Sequence, residues 1–180
     1  MRVLYLLTII LTLSLPSVHA ITLVPLPFAD LVAQAHVVAY GRVAQVDGQW
    51  TDDRQAIESL ITLDVIERFK GGAGDTLTFK VPGGRAGNIV NVWPGAPEFR
   101  RGDLVVVFLA ARGPAIPTLV GLTQGVLHVG LEGRSGELTV APPLGFNGES
   151  GTIARGAPAR APVRLASFAE RVRLQVEAGR

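Results

Sequence analysis

The stretch from Ala56 to Phe69 limits the fold of this chain more than any other. Ile57, Ser59, Ile61, Leu63, Val65 and Phe69 share one parity, while Glu58, Thr62, Asp64 and Arg68, with Lys70 following, share the other. Successive side chains of a strand point to opposite faces, so a period of two predicts a long strand with one face buried and one wet.

The neighbouring segments extend that sheet. Thr76 to Val81 alternates again, with Leu77, Phe79 and Val81 inward. Val37 to Val46 is apolar and β-branched, and Gly41 inside it marks a bend. Leu104 to Ala111 is an unbroken apolar run, which suits a strand covered on both faces. Leu119 to Leu122 and Val126 to Leu131 read as short strands; in the second, Leu127, Val129 and Leu131 point one way and His128 and Glu132 the other. Glu137 to Val140 adds a weak edge strand. The 21 glycines and 12 prolines supply turns at 47–53, 71–75, 82–84 and 114–117.

Two segments break the β pattern. Phe28 to Ala35 places Phe28, Leu31, Val32 and Ala35 on one helical face, and Val163 to Val176 carries a stripe of Leu165, Phe168, Ala169, Val172 and Val176. Glu170–Arg173 and Arg173–Glu177 are spaced as ion pairs on the second helix. The expectation is a mainly β fold, a small and partly open OB-like barrel of five to six strands with a short N-terminal helix and a C-terminal helix; a two-sheet sandwich is the alternative. At 180 residues the chain fits one such domain, over 21–140, followed by a Pro/Gly/Ala-rich linker at 141–162 and the helix at 163–180.

The first twenty residues read as a signal peptide. Arg2 precedes an apolar run from Val3 to Leu15, Pro16 and Ser17 break it, and Val18-His19-Ala20 has the small-residue pattern of a cleavage site. The run is shorter than the ~20 residues a spanning helix needs, so no membrane span is expected after cleavage. Export to the periplasm or the medium follows. With no cysteine, disulfides, thiolate metal sites and cysteine nucleophiles are excluded, and the fold must rest on its core. The formal charge of +2 is too small to make a strong basic field.

One combination goes beyond generic patterning: Ala35-His36-Val37-Val38-Ala39-Tyr40-Gly41-Arg42-Val43, then Val65-Ile66-Glu67-Arg68-Phe69-Lys70-Gly71, Val81-Pro82-Gly83-Gly84, the run from Pro94 to Asp103 leading into Val105 to Leu109, and Gly121-Leu122-Thr123-Gln124-Gly125. This order resembles a group of exported, uncharacterised bacterial proteins, some of whose relatives carry the module beside metalloprotease domains. More distantly it resembles the netrin-like module of tissue inhibitors of metalloproteases, which is an OB barrel. The resemblance implies a protein partner, with a secreted or envelope protease as one class. Those inhibitors begin with a disulfide-bonded cysteine whose amine and carbonyl chelate the protease zinc. This chain has no cysteine, and its expected amino terminus is Ile21, so inhibition by that route is not expected.

Residue chemistry points to no catalytic centre, metal site or cofactor. His19 leaves with the leader, and His36 and His128 lie on separate elements. Gly133-Arg134-Ser135-Gly136 and Gly148-Glu149-Ser150-Gly151 lack the spacing of a nucleophile elbow and read as turns. No Gly-Lys-Ser/Thr phosphate loop is present, and Arg101-Gly102-Asp103 reads as an entry turn before a strand. Nucleic acid is not expected as a partner, because Phe69, Phe79 and Phe108 sit at core parity instead of forming a stacking platform.

The long, weakly periodic loop from Arg85 to Phe99 is the candidate surface. Arg85, Asn88, Asn91 and Trp93 are its candidate binding residues, Trp and Arg being enriched where protein contacts concentrate their energy. The competing role for Trp93 and Phe99 is to fold back as a plug on the barrel end. The leading expectation is a non-catalytic exported module that binds an unidentified protein. The alternative is an envelope hydrolase or carbohydrate-active protein using Asp52, Asp53, Glu58 or Asp64. Sequencing the exported protein should give an amino terminus at Ile21; a first residue within 1–20 would rule out this cleavage.

Overall fold

The alternating segment forms a 14-residue strand, and its neighbours close around it into a ring. The computed structural model describes residues 25–72, 74–111, 113–133, 135–143, 146 and 161–179. In chain order these form α1 (Phe28–Gln34), β1 (Val37–Trp50), β2 (Ile57–Lys70), β3 (Thr76–Pro82), β4 (Gly84–Ala86), β5 (Ile89–Asn91), β6 (Leu104–Ala110), β7 (Thr118–Leu119), a 3₁₀ turn (Leu122–Gly125), β8 (Val126–Leu131), β9 (Leu138–Val140), β10 (Val163–Arg164) and α2 (Leu165–Ala178). The proposed leader at 1–20 and most of the Pro/Gly/Ala-rich linker lie outside the described residues.

The fold is mainly β and is a small, partly open barrel. β1, β2 and β3 form an antiparallel meander; β6 returns antiparallel to β1, and β7 lies between β6 and β3, parallel to β3. Closure onto β3 is narrow. It consists of the Lys80–Thr118 pairing and the Lys80 N–H donating to the Pro117 carbonyl at 2.9 Å. Past β7 the chain turns through 122–125 and continues as β8 along the same edge of β6, then carries β9 and β10 away from the ring. The ring, not two facing sheets, is what separates this fold from a sandwich.

β6 is buried on both faces, as its unbroken apolar run predicts. Val105, Val107 and Leu109 point into the barrel with Val43, Ile61, Leu63, Phe79 and Val81. Val106 and Phe108 point outward into a second core built with α1 and α2. There Phe168 is fully buried, stacked on Phe146 at 5.3 Å and edge-on to Phe28, Phe69 and Phe108 at 5.9, 6.4 and 6.4 Å. The helical stripe that buries it, Leu165, Phe168, Ala169 and Val172, is the predicted one.

β2 serves both cores through bulges. Tyr40 pairs with Glu67 but Gly41 pairs with Val65, so Ile66 is an extra residue on β2, left exposed. One inserted residue moves the following side chains to the other face. Ile61 and Leu63 therefore fill the barrel, while Glu67 and Phe69, of the same parity, face the helices. Lys70, which the alternation assigns to the wet face, also turns there; its Nζ donates to the Val32 carbonyl at 2.6 Å and so caps the end of α1. Burial lowers its pKa from the usual lysine value.

Several expectations change. β1 runs on to Trp50, through the residues that resemble a turn, because β2 pairs with it up to Ile57. Arg173 binds Glu67 on β2, not its helical neighbours, and its guanidinium lies 5.8 Å from the Phe69 ring centroid. Leu131 is 70% exposed, since β8 has passed the last β6 pairing at His128 and only β9 accompanies it. Leu119 to Leu122 yields only a two-residue strand before the 3₁₀ turn, which starts at Leu122 with a φ of 55°. Phe168→Ala should destabilise the fold by about 3–5 kcal/mol in denaturant unfolding, the cost of emptying an aromatic site in a close-packed core; a loss under ~1 kcal/mol would contradict the helix-barrel core.

Candidate functional site

The loop from Arg85 to Phe99 is partly ordered as a hairpin, not irregular throughout. β4 and β5 pair antiparallel, with Ala86 opposite Ile89 around a two-residue Gly87-Asn88 connection. Gly-Asn is a recognised hairpin connection, and that short-range signal was present in the sequence. The flanking strands are only three residues each, too short for alternation to register.

Small residues let this hairpin lie close on the barrel. A Cβ on Gly48 would sit 1.8 Å from the Arg85 carbonyl oxygen, so only glycine permits the approach of β4 to β1. Gly84 has a φ of 135°, and a Cβ there would sit 2.1 Å from Ser59 Oγ. Ser59 is buried on β2; its hydroxyl donates to the Gly83 carbonyl at 2.8 Å, and the Gly83 N–H donates to the Ile57 carbonyl at 2.8 Å. The unexpected polar residue on the inward parity of β2 is thus the anchor of the hairpin.

Between hairpin and barrel lies a groove of roughly 620 Å³. Ile61, Val81 and Phe99 supply apolar lining, and Arg85, Asn91, Trp93 and Arg100 supply most of the polar and aromatic rim. Three of the four candidate residues, Arg85, Asn91 and Trp93, therefore line one groove; Asn88 is exposed at the hairpin connection and does not. The plug expectation divides. Phe99 does fold back, edge-on to Phe79 at 5.5 Å, whereas Trp93 stays 49% exposed. Trp93 also borders a neighbouring cavity of roughly 410 Å³, which holds the Glu58–Lys80 ion pair at 3.1 Å. Ile89, Val90 and Val92 are each more than half exposed, and Trp50 at the end of β1 is nearly so.

The acids singled out from the sequence are engaged locally. Asp53 accepts from the Thr51 hydroxyl at 2.6 Å and from the Gln55 N–H at 3.1 Å, and these bonds, the hydroxyl first, hold its carboxyl below the usual carboxylate range. Glu58 binds Lys80 and accepts from Gln49. Asp64 is exposed on β2, six residues and therefore about 20 Å from Glu58 along the strand. Asp52 is exposed in the turn after β1.

The remaining motifs have structural roles where they are described. His36 Nδ1 accepts from the Ala111 N–H at 3.3 Å, and His128 is exposed on β8. Asp103 accepts from the Arg100 N–H at 2.7 Å and its carbonyl binds the Val43 N–H, making Arg101-Gly102-Asp103 the entry to β6. Ser135 binds Glu132 at 2.6 Å, while Ser150 lies outside the described residues. Among the described residues no group of three histidines or acids could hold a metal ion, and no helix is long and apolar enough to cross a membrane.

No family model, curated protein or solved structure matches this chain. Gly84→Ala should cost more than about 1 kcal/mol of stability and speed amide exchange in 84–91, because the new methyl meets Ser59 in a backbone conformation that alanine resists; unchanged exchange would show that the hairpin does not depend on this contact.

Proposed function

We propose that this protein is an exported, non-catalytic module that docks on another protein through the β4–β5 hairpin and the groove beneath it. The observation that carries the reading is the concentration of exposed apolar side chains there: Ile89, Val90, Val92 and Trp93, beside Trp50 on β1. Apolar clusters rimmed by polar groups are characteristic of contact surfaces. Trp and Arg, which dominate the energetics of such surfaces, both line the groove as Trp93 and Arg85.

The ring order lends support to the OB-like reading. Its first strand is antiparallel to the strand that returns beside it, and its third is parallel to the one that closes the ring. The netrin-like resemblance, and with it a secreted or envelope protease as the partner class, rests on the sequence order given above. The alternative, an envelope hydrolase or carbohydrate-active protein built on Asp52, Asp53, Glu58 and Asp64, draws less support, since Asp53 and Glu58 are committed to local hydrogen bonds and Asp64 stands far along β2.

Trp93→Ala tests the proposal by separating contact from stability. A half-exposed indole should cost no more than about 1 kcal/mol on truncation, or ~2–4 °C in melting temperature. Affinity capture of the native partner should weaken by roughly thirtyfold, the effect of losing about 2 kcal/mol at a contact centre. A fall of many degrees, or capture equal to that of the unsubstituted protein, would defeat the reading.

A further inference from the structure

The groove has a second property that side-chain contact alone does not use: one wall is an unpaired strand edge. β6 accompanies β1 only as far as Arg42, and the last hydrogen bonds on that side join Val43 to Gly102 and Asp103. Beyond Val43, β2 alone pairs with β1 among the described residues, and it does so as far as Trp50. The hydrogen-bonding phase follows from β2. Val65 donates to Asp75, and Ile57 accepts from Gly83, so the odd residues of β2 turn their backbone toward β3. Glu58 and Leu60 then turn theirs toward β1, where they face Gln49 and Asp47. By the same alternation Val46, Gly48 and Trp50 present their N–H and C=O groups outward.

Val46 and Gly48 also line the groove. A strand laid along this edge would therefore place every second side chain over the apolar wall of Ile61, Val81 and Phe99. The charge there is unbalanced. Arg85 and Arg100 line the groove against one carboxylate, Glu98, and neither arginine takes part in an ion pair among the described residues. The neighbouring Asp47 is of the other parity on β1 and does not line the groove. An exposed edge of this kind is ordinarily blunted by charges, proline or a covering element.

We infer that the outer edge of β1, from Val46 to Trp50, receives an extended acidic peptide segment of another protein by strand addition, with an apolar side chain over the groove and carboxylates at Arg85 and Arg100. This rests on the reading of the protein as a docking module and specifies what it grips. Main-chain hydrogen bonds would supply affinity without sequence preference, and the groove would select at alternate positions. Charge complementarity would set preference for the acidic segment and speed its encounter.

The test uses acetyl-Asp-Thr-Val-Thr-Asp-amide, which puts Asp, Val and Asp on one face. It is compared with a counterpart carrying Lys in place of both Asp, and with two N-methylated forms that block every second amide in either frame. Binding is read from amide shifts of Val46, Gly48 and Trp50 in the intact protein, and from the fluorescence of Trp50 and Trp93, the only two tryptophans. The acidic peptide should bind about tenfold more tightly than the Lys form. One N-methylated form should lose binding, and R85A together with R100A should remove the charge preference. V46P, which deletes one outward N–H, should weaken binding as well; because it threatens the fold, the N-methylated peptides carry the same question without altering the protein. Equal binding of all four peptides, or no shift along β1 at saturating peptide, would overturn strand addition. Partner capture that depends on Trp93 while β1 shows no peptide shifts would refute it too, yet leave the docking module standing.

Discussion

The fold depends on β6 being buried on both sides. Its odd residues fill the barrel and its even residues meet the helices, so one strand joins two cores that would otherwise be separate. In a chain without cysteine, apolar burial has to hold the parts together, and a strand with no wet face couples them directly. α1 and α2 are in turn placed by it: Phe168 reaches Phe108 on β6, Phe69 on β2 and Phe28 on α1.

β2 makes the same connection by a different device. It has alternating character and cannot face both cores at once, so it switches faces by inserting Ile66. That insertion brings Glu67 to Arg173, and a second register shift, at Phe69, turns Lys70 to the end of α1, so that both helices are tied over the barrel. Lys70, which reads as solvent-facing, and the Glu67–Arg173 pair become the ties between layers.

At the far end of β1 the requirement is closeness, not burial. Gly48, Gly84 and Ser59 bring the hairpin down onto β1 and β2, and the hairpin with Phe99 forms the groove. The same stretch of β1 keeps an unpaired edge because β6 ends its pairing at Arg42. Groove and edge thus have one origin: β1 and β2 are each 14 residues long and outrun the seven-residue β6.

Much of this was legible in the residues themselves. The two-residue period of β2 and β3, the unbroken run of β6 and the helical stripe of α2 each follow from local periodicity, because burial repeats with the geometry of the element. Trp93 and Arg85 were recognisable as candidates by residue type. What the sequence could not settle were matters of partnership between distant segments. Asp47-Gly48 has the composition of a turn, and only pairing with β2 makes it strand; Ser59 looks like a flaw in an apolar face until the Gly83 carbonyl is placed against it. The face switch at Ile66, the choice of Glu67 over the helical neighbours of Arg173, and the meeting of Arg85, Asn91 and Trp93 in one groove were decided by tertiary structure. Periodicity reports which face of an element is buried, whereas register and closure depend on which other element arrives there, and that information lies far away along the chain.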